Sequence, residues 1–278
     1  MRRFLAYPIT WMLVGAAAIM AADGVCIGGG MQLGTAGSIV GPVLAVAAGL
    51  GLYWLVMRYL ARREMPEMRG ARELFGGALL GFGFLVTSFS IVYALGGFTI
   101  VRGPDDAATT IAIALAVNLG AAVCEELAFR GMLLQGIAKL GGPIVAVAVT
   151  SLLFGGVHLA NAGATLWSSL AIAVEAGVLM GCAFLWRRNL WFVIGLHWAW
   201  NTTEMLLGIP VSGHREASVW LTTAHGNPWL TGGEFGIEAS VVPVILGAIL
   251  SALIVWRVRR DHDTRRKGDA PGHVTSPG

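Results

Sequence analysis

Three short patterns in this sequence carry ionisable and amide side chains of the types that move protons and bind developing charge. They are Cys124-Glu125-Glu126-Leu127-Ala128-Phe129-Arg130, Phe154-Gly155-Gly156-Val157-His158 and His197-Trp198-Ala199-Trp200-Asn201. Such chemistry needs a base that takes a proton, and hydrogen-bond donors where negative charge develops. Carboxylates and imidazoles supply the first; asparagine and imidazole N–H groups supply the second. On a helix, Glu126 and Arg130 stand at i and i+4, share a face and form an ion pair. Glu125 is turned about 100° away and is left free to take a proton. Phe154 and His158 repeat the spacing, so the phenyl ring packs against and orients the imidazole. His197 and Asn201 repeat it again and present two polar groups to one cavity.

These patterns lie in apolar runs. The chain has 278 residues, 56% hydrophobic and only 13% charged, with a mean hydropathy of +0.71. An average soluble domain is about 25% charged, so a soluble globule is excluded. Lipid offers the backbone no hydrogen-bond partner, so a span needs roughly 20 apolar residues in a helix. The sequence predicts eight: Phe4 to Ala22, Ser38 to Met57, Leu74 to Phe98, Ala107 to Val123 running on toward Leu140, Pro143 to Ala160, Leu166 to Trp186, Leu190 to Leu207, and Ala239 to Trp256. The expected fold is all-α, one polytopic bundle over residues 1–260 with a disordered cytoplasmic tail at 261–278. The run after Met1-Arg2-Arg3 is read as a first span, not a cleaved leader.

Lys and Arg collect in cytoplasmic loops, and here they alternate with the spans. Both termini are therefore expected in the cytoplasm, leaving only Arg102 and Arg215 on the opposite side. The net charge of +3 serves orientation, and no nucleic-acid partner is expected because the basic residues line no single face. Ionisable groups inside spans cost several kcal/mol unless paired and mark function by default. Counted from the Gly141-Gly142-Pro143 turn, Glu125 and His158 are equally far along antiparallel helices, roughly 25 Å at 1.5 Å per residue. A carboxylate and an imidazole then share a level.

In this order, EExxxR, FxxxH and HxxxN resemble the CPBP family, which comprises CAAX prenyl endopeptidases and bacteriocin-processing enzymes and is also called the Abi family. The resemblance spans a core of about residues 108–207; the first three spans and the last carry no signature. It implies an intramembrane endopeptidase in which Glu125 activates water with help from His158. His197 and Asn201 would bind water and stabilise the oxyanion, with Glu126, Arg130 and Phe154 supporting the site. The implied partners are a membrane-associated or lipidated protein or peptide substrate and the lipid bilayer. Glu125, His158 and His197 could alternatively hold zinc with an open position. Because HExxH is absent and a metal-bound carboxylate is no free base, a water activated by glutamate without obligatory metal is favoured. The competing function is a non-catalytic membrane scaffold or immunity protein that keeps the fold. An inverted-repeat transporter is disfavoured because the sequence shows no internal repeat. The Ala-, Gly- and Arg-rich composition points to a bacterial plasma membrane.

Several residues outside the motifs carry expectations of their own. Glu204 shares a face with His197 and Asn201, and either orients His197 or adds a second acid. Glu175, midway along the sixth span, is expected to be buried against Arg130 or a motif histidine. The stretch from Gly208 to Glu238, with His214, His225, Glu234 and Glu238, reads as a covering loop. Gly77 with Gly81 and Gly177 with Gly181 are small-xxx-small pairs for close helix packing. Cys26, Cys124 and Cys182 read as apolar filler.

Overall fold

The computed structural model describes residues 7–103 and 106–268, so Arg2, Arg3 and the tail beyond Gly268 lie outside the described residues. Its helices are α1 (Pro8–Met31), α2 (Gly34–Leu60), α3 (Glu73–Ala94), α4 (107–141), α5 (143–157), α6 (Leu166–Arg187), α7 (Leu190–Leu207) and α8 (Val241–Gly268). The chain is an all-α polytopic membrane bundle. Helices α4 and α5 form one unbroken run, Ala107–Ala160, except at Gly142, whose φ of 82° and ψ of 171° are non-helical. Glycine reaches that conformation at no steric cost, and Pro143 then restarts the helix at its first turn. Among the described residues, six segments are apolar and long enough to cross a membrane when α4 and α5 count as one. Helix α7 is not among them, because the polar residues that make it a functional candidate also lower its hydropathy.

The third predicted span overran its helix. Helix α3 stops at Ala94, Gly96 takes a φ of 77°, and Phe98 opens strand β1 (Phe98–Arg102). Two consecutive glycines break the helix, and the β-branched run Thr99-Ile100-Val101 then favours extended backbone. Strand β1 pairs antiparallel with β2 (Trp220–Ala224), Phe98 opposite Ala224 and Arg102 opposite Trp220. Periodicity within either segment could not announce a pairing between residues so distant in sequence.

Close packing fixes α7, the carrier of His197. An added methyl at Gly77 would collide with the Phe192 carbonyl, one at Gly81 with the Leu196 carbonyl, and one at Gly195 with the Leu74 carbonyl. Thus α3 and α7 touch backbone to backbone, as small residues permit in lipid. Gly177 packs on Ser151 and Gly181 on Val147, joining α6 to α5. Gly81→Ala should force α3 and α7 apart at about 1–3 kcal/mol and displace His197. A melting temperature in detergent equal to that of the wild type would refute this contact.

A polar knot secures the loop between α2 and α3. Tyr53 donates to Glu67 Oε1 at 2.5 Å, and Arg63 donates to both Glu67 oxygens at 2.6 and 3.1 Å and to Gln135 Oε1 at 2.9 Å. Burial alone would raise the Glu67 carboxyl, but the bonds from Arg63 and Tyr53 outweigh it and hold the group below its ordinary 4.5. A depressed carboxyl stabilises the fold above the unfolded value, and that stabilisation is lost as pH falls through the lowered folded value. Melting temperature should therefore drop on acidification below about 4.5, and Glu67→Gln should flatten part of the drop. Parallel pH profiles for the two proteins would contradict it.

Candidate active site

Helices α1, α4, α5, α6 and α7 and the 208–238 segment enclose a cavity of about 470 Å³. Glu125, Phe154, His158, His197 and Asn201 all line it. Glu126 and Arg130 sit directly behind, 0% and 1% exposed. The antiparallel turn at Gly142 thus brings the carboxylate and imidazole of the first two motifs to one cavity, and the glycine contacts hold the third motif against them.

Arg130 organises the interior. Its Nη1 donates to Glu126 Oε1 at 2.8 Å, and its Nη2 donates to the carbonyls of Ala176 at 3.0 Å and Gly177 at 3.3 Å. Its guanidinium also stacks over the Phe154 ring, 4.8 Å from the centroid. Those carbonyls belong to a π-helical stretch of α6 (Ala173–Val178), and Arg130 itself lies in another (Leu127–Leu134). Wide π turns loosen the usual i to i−4 ladder and are frequent at functional sites. Here one of them supplies two carbonyls that accept from a buried cation.

Glu126 and not Glu204 orients His197. Nδ1 of His197 lies 2.9 Å from Glu126 Oε1; since an ionised carboxylate only accepts, Nδ1 carries the hydrogen. Nε2 then faces Glu125 Oε2 at 3.9 Å, too long for a hydrogen bond. Glu125 makes no hydrogen bond, and its Oε2 is buried without a partner. His158 Nδ1 lies 2.6 Å from the Phe154 carbonyl, which can only accept, so Nδ1 carries a proton, and in the neutral ring Nε2 holds the lone pair. The Phe154 ring also contacts the imidazole, with centroids 4.8 Å apart. Spacing anticipated the ring contact but missed the carbonyl, because a backbone acceptor leaves no mark on residue type.

Two further expectations are corrected. Glu204 is fully buried, but its Oε1 accepts from Trp200 Nε1 at 3.2 Å and its Oε2 has no partner. Glu175 is fully buried as well, yet neither oxygen has a hydrogen-bond partner. Both expected partners bond elsewhere: Arg130 to Glu126 and the two carbonyls, and the motif histidines to Glu126 and the Phe154 carbonyl. The 208–238 segment is more than a cover, since Val211, Ser212, His214, Glu216 and Glu238 line the same cavity. Glu238 Oε2 accepts from the Ser212 N–H at 2.7 Å and the Ser212 hydroxyl at 2.8 Å. Burial pushes the Glu238 carboxyl above its ordinary value, against the Ser212 bonds and the nearby His158 and His197. Asp23 of α1 is another lining residue outside every motif. Cys124 and Cys182 are buried and unbridged.

Among the described residues, no group of three or more His, Cys, Asp or Glu side chains is placed to share a metal ion. The arrangement offers a carboxylate with an unpartnered oxygen, an imidazole held by a backbone carbonyl, a second imidazole fixed by a buried carboxylate, and an amide.

The fold and the cavity describe a multi-pass membrane protein with hydrolytic residue types gathered inside its bundle. Residues 107–203 match the family described as type II CAAX prenyl endopeptidase Rce1-like, the family that the three motifs resemble. That stretch holds every motif residue from Glu125 to Asn201, while α1, α2, α3, the whole 208–238 segment and α8 fall outside it. No curated protein and no solved structure matches the chain.

Proposed function

We propose that this chain is an intramembrane endopeptidase in which Glu125 activates water to hydrolyse a peptide bond of a membrane-associated or lipidated protein or peptide. One observation carries the reading: a carboxylate with an unpartnered oxygen stands in a cavity beside an imidazole that another carboxylate holds in place. Glu125 takes a proton from water as the water oxygen attacks the carbonyl carbon. His158, with Nε2 free to accept, helps hold that water. The Asn201 amide and His197 face the cavity where the carbonyl oxygen gains charge. Glu126, Arg130 and Phe154 keep these groups in position without touching substrate.

Met20, Met31, Met180 and Met205 line the same cavity. Flexible, polarisable thioethers adapt to apolar surfaces of varied shape, which suits a lipidated or apolar substrate, and a prenylated CAAX protein is the candidate that the family description names. The proposed location is a bacterial plasma membrane, with both termini cytoplasmic.

The test compares peptide termini in membranes carrying the wild-type chain, a Glu125→Gln chain at matched abundance, or neither. A set of termini present only with the wild type, surviving a metal chelator, is the expected result. Identical termini in all three would leave the non-catalytic scaffold as the better account, and loss on chelation would favour zinc.

A further inference from the structure

Asp23 is the one charged residue on the cavity face of α1, between Met20 on one side and Ile27 and Met31 on the other. A carboxylate inside an otherwise apolar stripe at membrane depth is costly unless it has work to do. One oxygen, Oδ1, is buried without a hydrogen-bond partner. The helix loosens immediately afterwards into a π-helical stretch, Gly24–Gly28. On the facing helix α4, Glu125 bears on Asp23 as a like charge and the Cys124 thiol as a weak hydrogen-bond donor.

Asp23 and Glu125 therefore form a carboxyl pair across one cavity with unequal surroundings. Two like charges sharing a low-dielectric site do not both ionise readily, and the proton stays on the member with less support for its charge. Arg130, although bonded to Glu126, lies within electrostatic reach of Glu125. Beside Asp23 stands only the weak thiol donor of Cys124. Hydrolysis needs this asymmetry, because the departing amine is a poor leaving group until its nitrogen receives a proton. When the environments of two carboxyls differ, the charged one serves as base and the neutral one as acid.

Resting on the proteolytic reading above, we propose that Asp23 is the proton donor to the leaving nitrogen, paired with Glu125 as the base. An O–H bond of water breaks, its proton passes to Glu125, and the water oxygen bonds to the carbonyl carbon while the C=O electron pair moves onto oxygen. As that pair returns, the C–N bond breaks, its electrons stay on nitrogen, and nitrogen takes the Asp23 proton. The proton held by Glu125 then restores Asp23, so that water and amide give carboxylic acid and amine with neither residue changed.

The distinguishing experiment uses two probes on the full chain in lipid nanodiscs: a prenylated CAAX peptide, and the same peptide with an ester in place of the scissile amide. An ester expels an alkoxide that needs far less help from an acid. For Asp23→Asn, kcat/KM on the amide should fall by about 10²-fold or more, while the ester is cleaved at a rate close to the wild-type value. Glu125→Gln should impair both probes, since both need activated water. The amide-to-ester ratio from one preparation does not depend on the folded fraction, so partial misfolding cannot imitate the result. Asp23→Glu, which keeps an acid, should recover amide cleavage. An unchanged ratio in Asp23→Asn, whether both activities persist or both vanish, overturns the donor role and leaves the protease standing. A wild-type chain that cleaves neither probe sinks this proposal together with its prenyl-peptide substrate class, whereas the comparison of membrane termini tests proteolysis itself without assuming a substrate.

Discussion

Glu125→Gln is expected to lower kcat/KM by about 10³-fold while leaving the melting temperature in place. Glutamine has the shape of glutamate but cannot accept a proton at neutral pH, and general-base catalysis contributes about 10² to 10⁴. Stability should hold because Glu125 makes no hydrogen bond and its Oε2 has no partner to lose. Substrate binding relies on the cavity walls, so kcat should carry the loss and KM little of it. Initial rates on a peptide found by the comparison of membrane termini would give both parameters. A loss under about tenfold would remove Glu125 as the base, and a large drop in melting temperature would reassign it to the framework.

Arg130→Met should give the opposite signature, a large loss of stability with activity falling as a consequence. The guanidinium is fully buried, bonds Glu126 and two carbonyls, and covers Phe154. Deleting it strands the Glu126 carboxylate, and breaking one side of a buried pair costs about 3–5 kcal/mol. Glu126 would also lose the charge that fixes it against His197. Arg130→Lys should rescue little, since a single ammonium cannot reproduce a planar fork spread over three acceptors. In the double variant Glu126→Gln/Arg130→Met no ion is left without its partner, so unfolding free energy should recover toward the wild-type value. If the double variant is as unstable as the sum of the two single changes, Glu126 and Arg130 do not act as a pair.

The bundle was legible from the sequence because lipid imposes a simple rule: long apolar runs must be helices, and polar residues within them stand out. The eight predicted runs each correspond to one of α1–α8, with shifted ends: α1 continues past the predicted Ala22 to Met31, α8 past Trp256 to Gly268, and Gly96 and Gly97 stop α3 short of Phe98. The i, i+4 spacing of Glu126 with Arg130 and of Phe154 with His158 was legible for a similar reason, since neighbours on one helix are fixed by local geometry. The level shared by Glu125 and His158 followed from one marked turn, Gly142.

Relations between helices and loops were decided by the tertiary structure alone. Residue type and spacing gave no sign that Glu126, rather than Glu204 on the same helix, would hold His197. Nor did they show that π-helical turns would expose the Ala176 and Gly177 carbonyls to Arg130, which leaves Glu175 without its expected partner. Asp23 and Glu238 lie in segments with no motif, and only the closing of α1 and the 208–238 segment around the cavity places them beside Glu125 and the histidines. Sequence periodicity fixes which residues share one helical face; which faces meet depends on packing contacts such as those at Gly77, Gly81 and Gly195, where the missing side chains of one helix admit the backbone of another.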